Sequence, residues 1–260
     1  MNRTAHVEPE LPAALRGEPS EPGGLRQVSV ATGYERWAPI YDRDPNPLLA
    51  REERHLSPLL AGLESKRVLD LACGTGRWLD RLMTRGRASA VGLDRSDAML
   101  RVACGKGAIT GRLARATCES LPFRGGVFDL TICSFAVGHI RDLGLMVREL
   151  ARVTRPTADL FVSDLHPDAY SRGWRVGFRD ESSAVHIEIF PRAAEEIIRP
   201  FCSNGFECPS QTPLWLEEPE QHIFARAGKS DQFAEACQSP AVLVFHFRRL
   251  GSPDVIKRAQ

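Results

Sequence analysis

RVLDLACGTGRW, Arg67 to Trp78, is the stretch from which the chain is read. Arg67 to Leu71 has the aliphatic density of a short buried strand, and Gly74 and Gly76 stand where a strand turns tightly into a helix. Glycine accepts positive φ and lets a ligand approach the backbone, while the free N–H groups of the following helix favour an anionic or polar ligand group. The stretch therefore predicts a strand, a binding turn and a helix start.

A glycine turn serves nucleotide-binding folds of several kinds, so its neighbours decide. Asp70 puts a carboxylate at the end of the strand, where it repels a pyrophosphate and suits a positively charged ligand. The third glycine of the dinucleotide fingerprint is replaced by Leu79. A second acid, Asp94, ends the strand-like run Ala90 to Leu93, one helix and one strand later. Its natural task is to accept two hydrogen bonds from a ribose diol.

Four blocks extend the pattern: LDLACGTGRW, VGLDRSDAML at 91–100, ATCESLPFRGGVFDLTICSFAVGHI at 116–140 and RELARVTRPTADLFVSDLHP at 148–167. Together they resemble class I S-adenosylmethionine-dependent methyltransferases, in the small-molecule branch of the ubiquinone/menaquinone type. The resemblance implies a Rossmann-like three-layer α/β sandwich, with a seven-stranded, mostly parallel sheet, an antiparallel last strand and an insertion covering the substrate. It implies S-adenosyl-L-methionine as cofactor and S-adenosyl-L-homocysteine as product. The matching cofactor positions are Tyr41, Asp70, Ala72, Gly74, Gly76, Asp94, Arg95, Met99, Thr117, Cys118, Glu119, Ser134 and Phe135. Tyr41 belongs to an aromatic segment with Tyr34 and Trp37 that in the family folds over the cofactor; packing on the core is the other reading. Thr117 departs from the family, which usually has an acid there for the adenine amino group. A neutral hydroxyl is a weaker acceptor, so adenine recognition leans on backbone and apolar contacts. Cys118, with no basic neighbour in sequence, reads as a small packing residue rather than a reactive thiol.

Length and composition bound the alternatives. The 260 residues suffice for one core, and a net charge of +1 argues against a nucleic-acid footprint. Seven cysteines without regular spacing read as reduced, cytosolic core residues rather than a disulfide framework or zinc site. Residues 1–28, rich in proline and charge, read as a disordered tail with neither signal peptide nor membrane span. Residues 29–260 then form a single domain, with 167–190 as a lid-like insertion. Predicted elements include helices over 48–63, 78–85, 96–104 with Ser96 as N-cap, 142–153, 191–204 and 219–237. Strands are predicted over 88–93, 109–116, 127–133, 157–164, 206–216 and 242–247.

His139 and His166 both fall at the carboxyl edge of the predicted sheet, and either imidazole can accept a proton from a hydroxyl. Each also has a bland reading: packing or hydrogen bonding for His139, a loop hydrogen bond before Pro167 for His166. In the insertion, Tyr170, Trp174, Arg175 and His186 are candidate substrate contacts, because aromatic rings and cations together grip a planar anion; the arginines of this stretch could equally be a solvated face. The asparagine/aspartate-proline motif of amine-directed nucleic-acid methyltransferases and the strand-end acid of metal-dependent catechol enzymes are absent, so no metal is expected. The expected activity is methyl transfer to an oxygen, nitrogen or activated carbon of a small metabolite, with a homodimer possible. The alternatives are a cyclisation or elimination on the same cofactor site, a non-catalytic cofactor-binding module and, disfavoured by the charge, methylation of RNA or protein.

Overall fold

The computed structural model describes residues 26–43, 45–61, 66–85, 88–179 and 183–251. In chain order these form β1 (Arg26–Val28), α1 (Val30–Trp37), α2 (Pro47–Leu59), β2 (Lys66–Leu71), α3 (Arg77–Thr84), β3 (Ala88–Asp94), α4 (Asp97–Cys104), β4 (Leu113–Arg115) and β5 (Phe128–Ser134). They continue as α5 (Leu143–Val153), β6 (Thr154–Leu165), α6 (Pro167–Ser171), β7 (Gly177–Arg179), β8 (Ala184–Ile187), α7 (Ala194–Ser203), β9 (Phe206–Leu214), α8 (Gln221–Arg226), α9 (Phe233–Ala236) and β10 (Val242–Arg249).

A seven-stranded sheet runs β4-β3-β2-β5-β6-β10-β9, with β10 antiparallel to both its neighbours. The chain steps outward from β2 to β3 and β4, then crosses to β5 on the other side, so the strand order reverses beside β2. Open α/β sheets bind ligands at the carboxyl ends of the strands at such a reversal. Strand β2 is buried on both faces: Val68 belongs to one apolar cluster, with α2, α3 and α8, whereas Leu69 and Leu71 belong to the other, with α5 and α7. This accounts for the near-continuous apolar run rather than an alternation. Side-chain caps fix several helix starts: Asn46 for α2, Ser96 for α4 and Asp142 for α5 accept hydrogen bonds from first-turn N–H groups.

The expected α/β sandwich with its antiparallel last strand is the observed one, and the corrections are local. The helix expected over 219–237 is two short helices, α8 and α9, because the chain turns at Gly228 with φ +69°. The strand expected over 109–116 shortens to β4, its first residue, Ile109, ending a helical turn over Gly107–Ile109. The last residues of the helix expected over 48–63, from Gly62 on, lie outside the described residues. Cys73 and Cys133 are buried as expected, but Cys104 and Cys202 are exposed.

Residues Arg26–Val28, placed in the tail from composition, form a strand. Together with β8 and β7 they make a second sheet, ordered β1-β8-β7, which takes two short strands from the predicted insertion. A proline- and charge-rich neighbourhood masks a three-residue strand whose partner lies far along the chain, Gln27 opposite His186. Helix α1 rides on this sheet through Gly33: a Cβ there would lie 2.6 Å from Cγ1 of Ile187, so only glycine admits the approach. The sheet is tied to the large one by Phe190 N–H donating to the Gly138 carbonyl at 2.7 Å.

Candidate active site

The turn after β2 holds Ala72 at φ +54°, Gly74 at φ +56° and Gly76 at φ +78°, so the chain reverses tightly into α3. Two carboxylates hold it in place. Asp70, 2% exposed, accepts from the Leu79 N–H at 3.0 Å, at the first turn of α3. Asp94 accepts from Gly74 N–H at 2.8 Å through Oδ2 and from Ser96 N–H at 2.7 Å through Oδ1. Burial pushes the Asp70 carboxyl up to about 7 and raises that of Asp94 as well.

Beneath the turn lies a buried polar cluster that sequence reasoning missed. Glu52 of α2, fully buried, accepts hydrogen bonds from Arg77, from Trp78 Nε1 at 3.2 Å and from the Ser163 hydroxyl. Arg77 also donates to Ser134 Oγ at 2.9 Å, so one guanidinium links α2, α3 and the end of β5. Within the helix expected over 48–63, no signal in the sequence distinguishes Glu52 from Glu53. Beside the turn, Thr75 Oγ1 donates to Asp42 at 2.8 Å and Lys106 pairs with the same carboxylate at 2.9 Å.

A cavity of about 330 Å³ opens over these strand ends. Tyr41, Asp70, Ala72, Gly74, Asp94, Arg95, Met99, Cys118, Glu119, Ser134, Phe135 and His139 line it, which brings most of the expected site together. Gly76 and Thr117 do not line it, and Thr117 is exposed. Tyr34 and Arg77, which sequence reasoning did not select, do. The run of aromatics at 34, 37 and 41 was the available signal for Tyr34. Its ring stacks on Trp37 at 5.9 Å, and Trp37 stacks in turn on Phe178 of β7 at 5.5 Å.

The insertion residues are distributed otherwise than expected. Trp174 is 2% exposed and belongs to the same apolar cluster as Leu214, Phe224 and Val242; the αL turn at Gly173 sends it inward, with its N–H on the Ala169 carbonyl at 3.0 Å. Arg175 lies over the Tyr170 ring at 4.1 Å and donates to the Tyr170 carbonyl at 2.7 Å. His186 is in β8, opposite Gln27 and Gly177. His166 caps α6, its Nδ1 accepting from Asp168 N–H at 3.1 Å, which is the loop hydrogen bond of its bland reading. None of these lines the large cavity.

His139 is the histidine that the fold delivers to the cavity. Its Nδ1 lies 3.0 Å from the Glu188 carbonyl oxygen and its Nε2 2.8 Å from the Tyr34 hydroxyl. Burial lowers its pKa, opposed by the charge of Asp164.

The residues present fit S-adenosylmethionine. Asp94 lines the cavity with its oxygens on the N–H groups of Gly74, Ser96 and Arg95, and its carboxylate has acceptor capacity left for a ribose hydroxyl. Asp70 is a buried acid on the cavity wall with a single hydrogen bond described, suited to an ammonium or sulfonium charge. Met99 and Cys118 supply apolar surface.

Sequence and structure comparisons agree. Residues 68–157 match the family model described as "Methyltransferase domain". The ubiquinone biosynthesis O-methyltransferase of Hahella chejuensis is 30% identical over 201 residues, covering 73% of this chain and 74% of that protein. In structure, the S-adenosylmethionine-dependent methyltransferase from Mesorhizobium loti superposes with a TM-score of 0.60 at 23% identity, over 78% of this chain and all of that one. The [4+2]-cyclase SpnF superposes with a TM-score of 0.59 at 16% identity, over 88% and 98% of the two chains. The chain belongs to the class I S-adenosylmethionine-dependent methyltransferase family. It is a cofactor-binding enzyme of that fold.

Proposed function

We propose that this enzyme methylates a hydroxyl oxygen of a small, planar metabolite. The observation that carries the reading is the hydrogen-bonded pair Tyr34–His139, a proton-accepting group in the wall of the cavity that Asp70 and Asp94 also line. A neutral amine already presents its lone pair and has less need of such a pair, and the Hahella relative is named for O-methylation.

S-adenosylmethionine supplies an electrophilic methyl group on a sulfonium leaving group. The protein's part is to orient the acceptor in line with that methyl, exclude water and take up the hydroxyl proton. Asp94 and the Gly74 turn would hold the ribose end, and Asp70 would meet the cationic end. Helix α1 lines the cavity through Val30, Ala31, Tyr34 and Glu35, and Tyr34, Phe135 and His139 offer it aromatic surface. Such a wall suits an aromatic ring bearing a hydroxyl.

The test is turnover with a panel of phenols and catechols, reading S-adenosylhomocysteine formation together with the methylated product. Methyl ethers formed in step with S-adenosylhomocysteine support the reading. Conversion of an acceptor without S-adenosylhomocysteine identifies instead a cyclisation or elimination, and inactivity across the panel in protein that binds the cofactor overturns the hydroxyl acceptor.

A further inference from the structure

The hydrogen bonds of His139 dictate which atom of the pair can meet an acceptor. The Glu188 carbonyl only accepts, so the imidazole proton sits on Nδ1 and Nε2 carries the lone pair. The Tyr34 hydroxyl therefore donates to Nε2 across 2.8 Å. Both ring nitrogens of His139 are thereby engaged within the protein. Tyr34 Oη, having given its proton to the hydrogen bond, keeps two acceptor lone pairs in a side chain that lines the cavity.

We propose that Tyr34 is the catalytic residue that accepts the hydrogen bond of the acceptor hydroxyl, and that it passes the proton to His139. The inference rests on the hydroxyl-methylation reading. In the step, the acceptor oxygen forms its bond to the methyl carbon as the carbon–sulfur bond breaks, with that electron pair remaining on sulfur. The acceptor's O–H proton moves to Tyr34 Oη while the Tyr34 proton moves to His139 Nε2. Tyr34 ends neutral, and the imidazolium is the only new charge on the protein.

The surroundings support both ends of the relay. Asp164 of β6, itself held by Gly138 N–H at 2.5 Å and Leu165 N–H at 2.7 Å, favours the imidazolium, and Glu188 O receives its Nδ1–H. Burial raises the Asp164 pKa, and against this the charges of His139 and Arg192 favour its ionised form. Around Tyr34, burial and the neighbouring Tyr41, Asp164 and Asp94 disfavour a standing phenolate. Tyr34 therefore conducts a proton without storing the charge, and His139, kept neutral by burial at rest, stores it.

The experiment uses full-length protein loaded with S-adenosylhomocysteine and titrated with 4-nitrocatechol, in buffer below the probe's own pKa. Two signals are followed: the visible phenolate band of the bound probe and the 15N resonances of His139. The expected result is a bound phenolate with His139 changed from neutral to imidazolium. In Tyr34→Phe the probe should bind but remain a phenol with His139 neutral. His139→Gln, which keeps a donor for Glu188 and an acceptor for Tyr34, should likewise bind it as a phenol. With turnover, both variants should lose about 10²–10⁴-fold in kcat with the KM for S-adenosylmethionine unchanged. Imidazolium formation in Tyr34→Phe would show that the acceptor meets His139 itself and would overturn the proposal, as would a wild-type complex in which both groups stay neutral. Failure of the probe to bind the loaded protein would overturn the aromatic hydroxyl acceptor beneath it. Failure of S-adenosylhomocysteine to bind would remove the cofactor reading instead.

Discussion

The carboxylate of Asp94 accepts the backbone N–H of Gly74 at 2.8 Å, so the second strand end fixes the turn that follows the first. The acid expected to hold the ribose is thus also a strut of the binding turn. Asp94→Ala should cost roughly 1.5–3 kcal/mol of cofactor affinity, about ten- to hundredfold in Kd, with a smaller loss of stability from the orphaned Gly74 and Ser96 N–H groups. Asp94→Asn, retaining one acceptor oxygen, should fall between. Calorimetric titration with S-adenosylhomocysteine checks both; unchanged affinity in Asp94→Ala would remove Asp94 from the cofactor site.

Asp70 links binding to pH. Its carboxyl titrates at about 7 in the fold, against 3.8 when unburied, because burial disfavours the charge. A group raised on folding stabilises below its unfolded pKa, and that contribution is lost as pH rises through the folded value. Cofactor-free protein should therefore lose stability between about pH 4 and pH 7, and Asp70→Asn should flatten that part of the profile. An ammonium ligand favours the ionised acid, so binding near neutral pH should release a proton, seen as a dependence of the calorimetric heat on the buffer's ionisation enthalpy. Above about pH 8 the ligand's own amino group loses its charge and affinity should fall again.

Glu52 is a buried charge with three donors on it, Arg77, Trp78 and Ser163. Removing one member of a buried ion pair strands the other, and Glu52→Ala should cost about 3–5 kcal/mol in urea unfolding. Glu52→Gln, which preserves hydrogen bonding, should cost less. A loss below about 1 kcal/mol in the alanine variant, as for an exposed pair, would show that the cluster does not hold the floor of the site.

Gly33 sets the distance between α1 and the small sheet. Gly33→Val places a branched side chain against Ile187, where even a Cβ has only 2.6 Å. The shift is passed to Tyr34 one residue on, and a displacement of that order lowers kcat by about 10²-fold. S-adenosylhomocysteine affinity, which the proposed site assigns to the β2 and β3 ends, should change much less. Equal losses in both would mean that α1 also supports the cofactor end.

What the sequence discloses here is what short range determines. The strand of Leu69 and Leu71, the turn at Gly74, the acid at Asp94 and the Ser96 cap are each written within a few residues of themselves, and the fold follows from their succession. Partnerships over long separations carry no such mark: Tyr34 meets His139 across 105 positions and Ser163 meets Glu52 across 111. Trp174 misleads for the same reason. Its aromatic and basic company suits a substrate lid, but the turn at Gly173 directs it into the core, and only tertiary packing decides between them. Arg26–Val28 is too short to signal a strand until β8 pairs with it.

The measurement to make first is calorimetric titration of folded, ligand-free protein with S-adenosylmethionine and S-adenosylhomocysteine, with a reduced nicotinamide nucleotide as control. Saturable binding of the first two and none of the third is the expected result, since the buried acid Asp70 suits an ammonium or sulfonium charge and repels a pyrophosphate. Absence of binding by either sulfur compound would contradict it, leaving a family fold whose cofactor site no longer works.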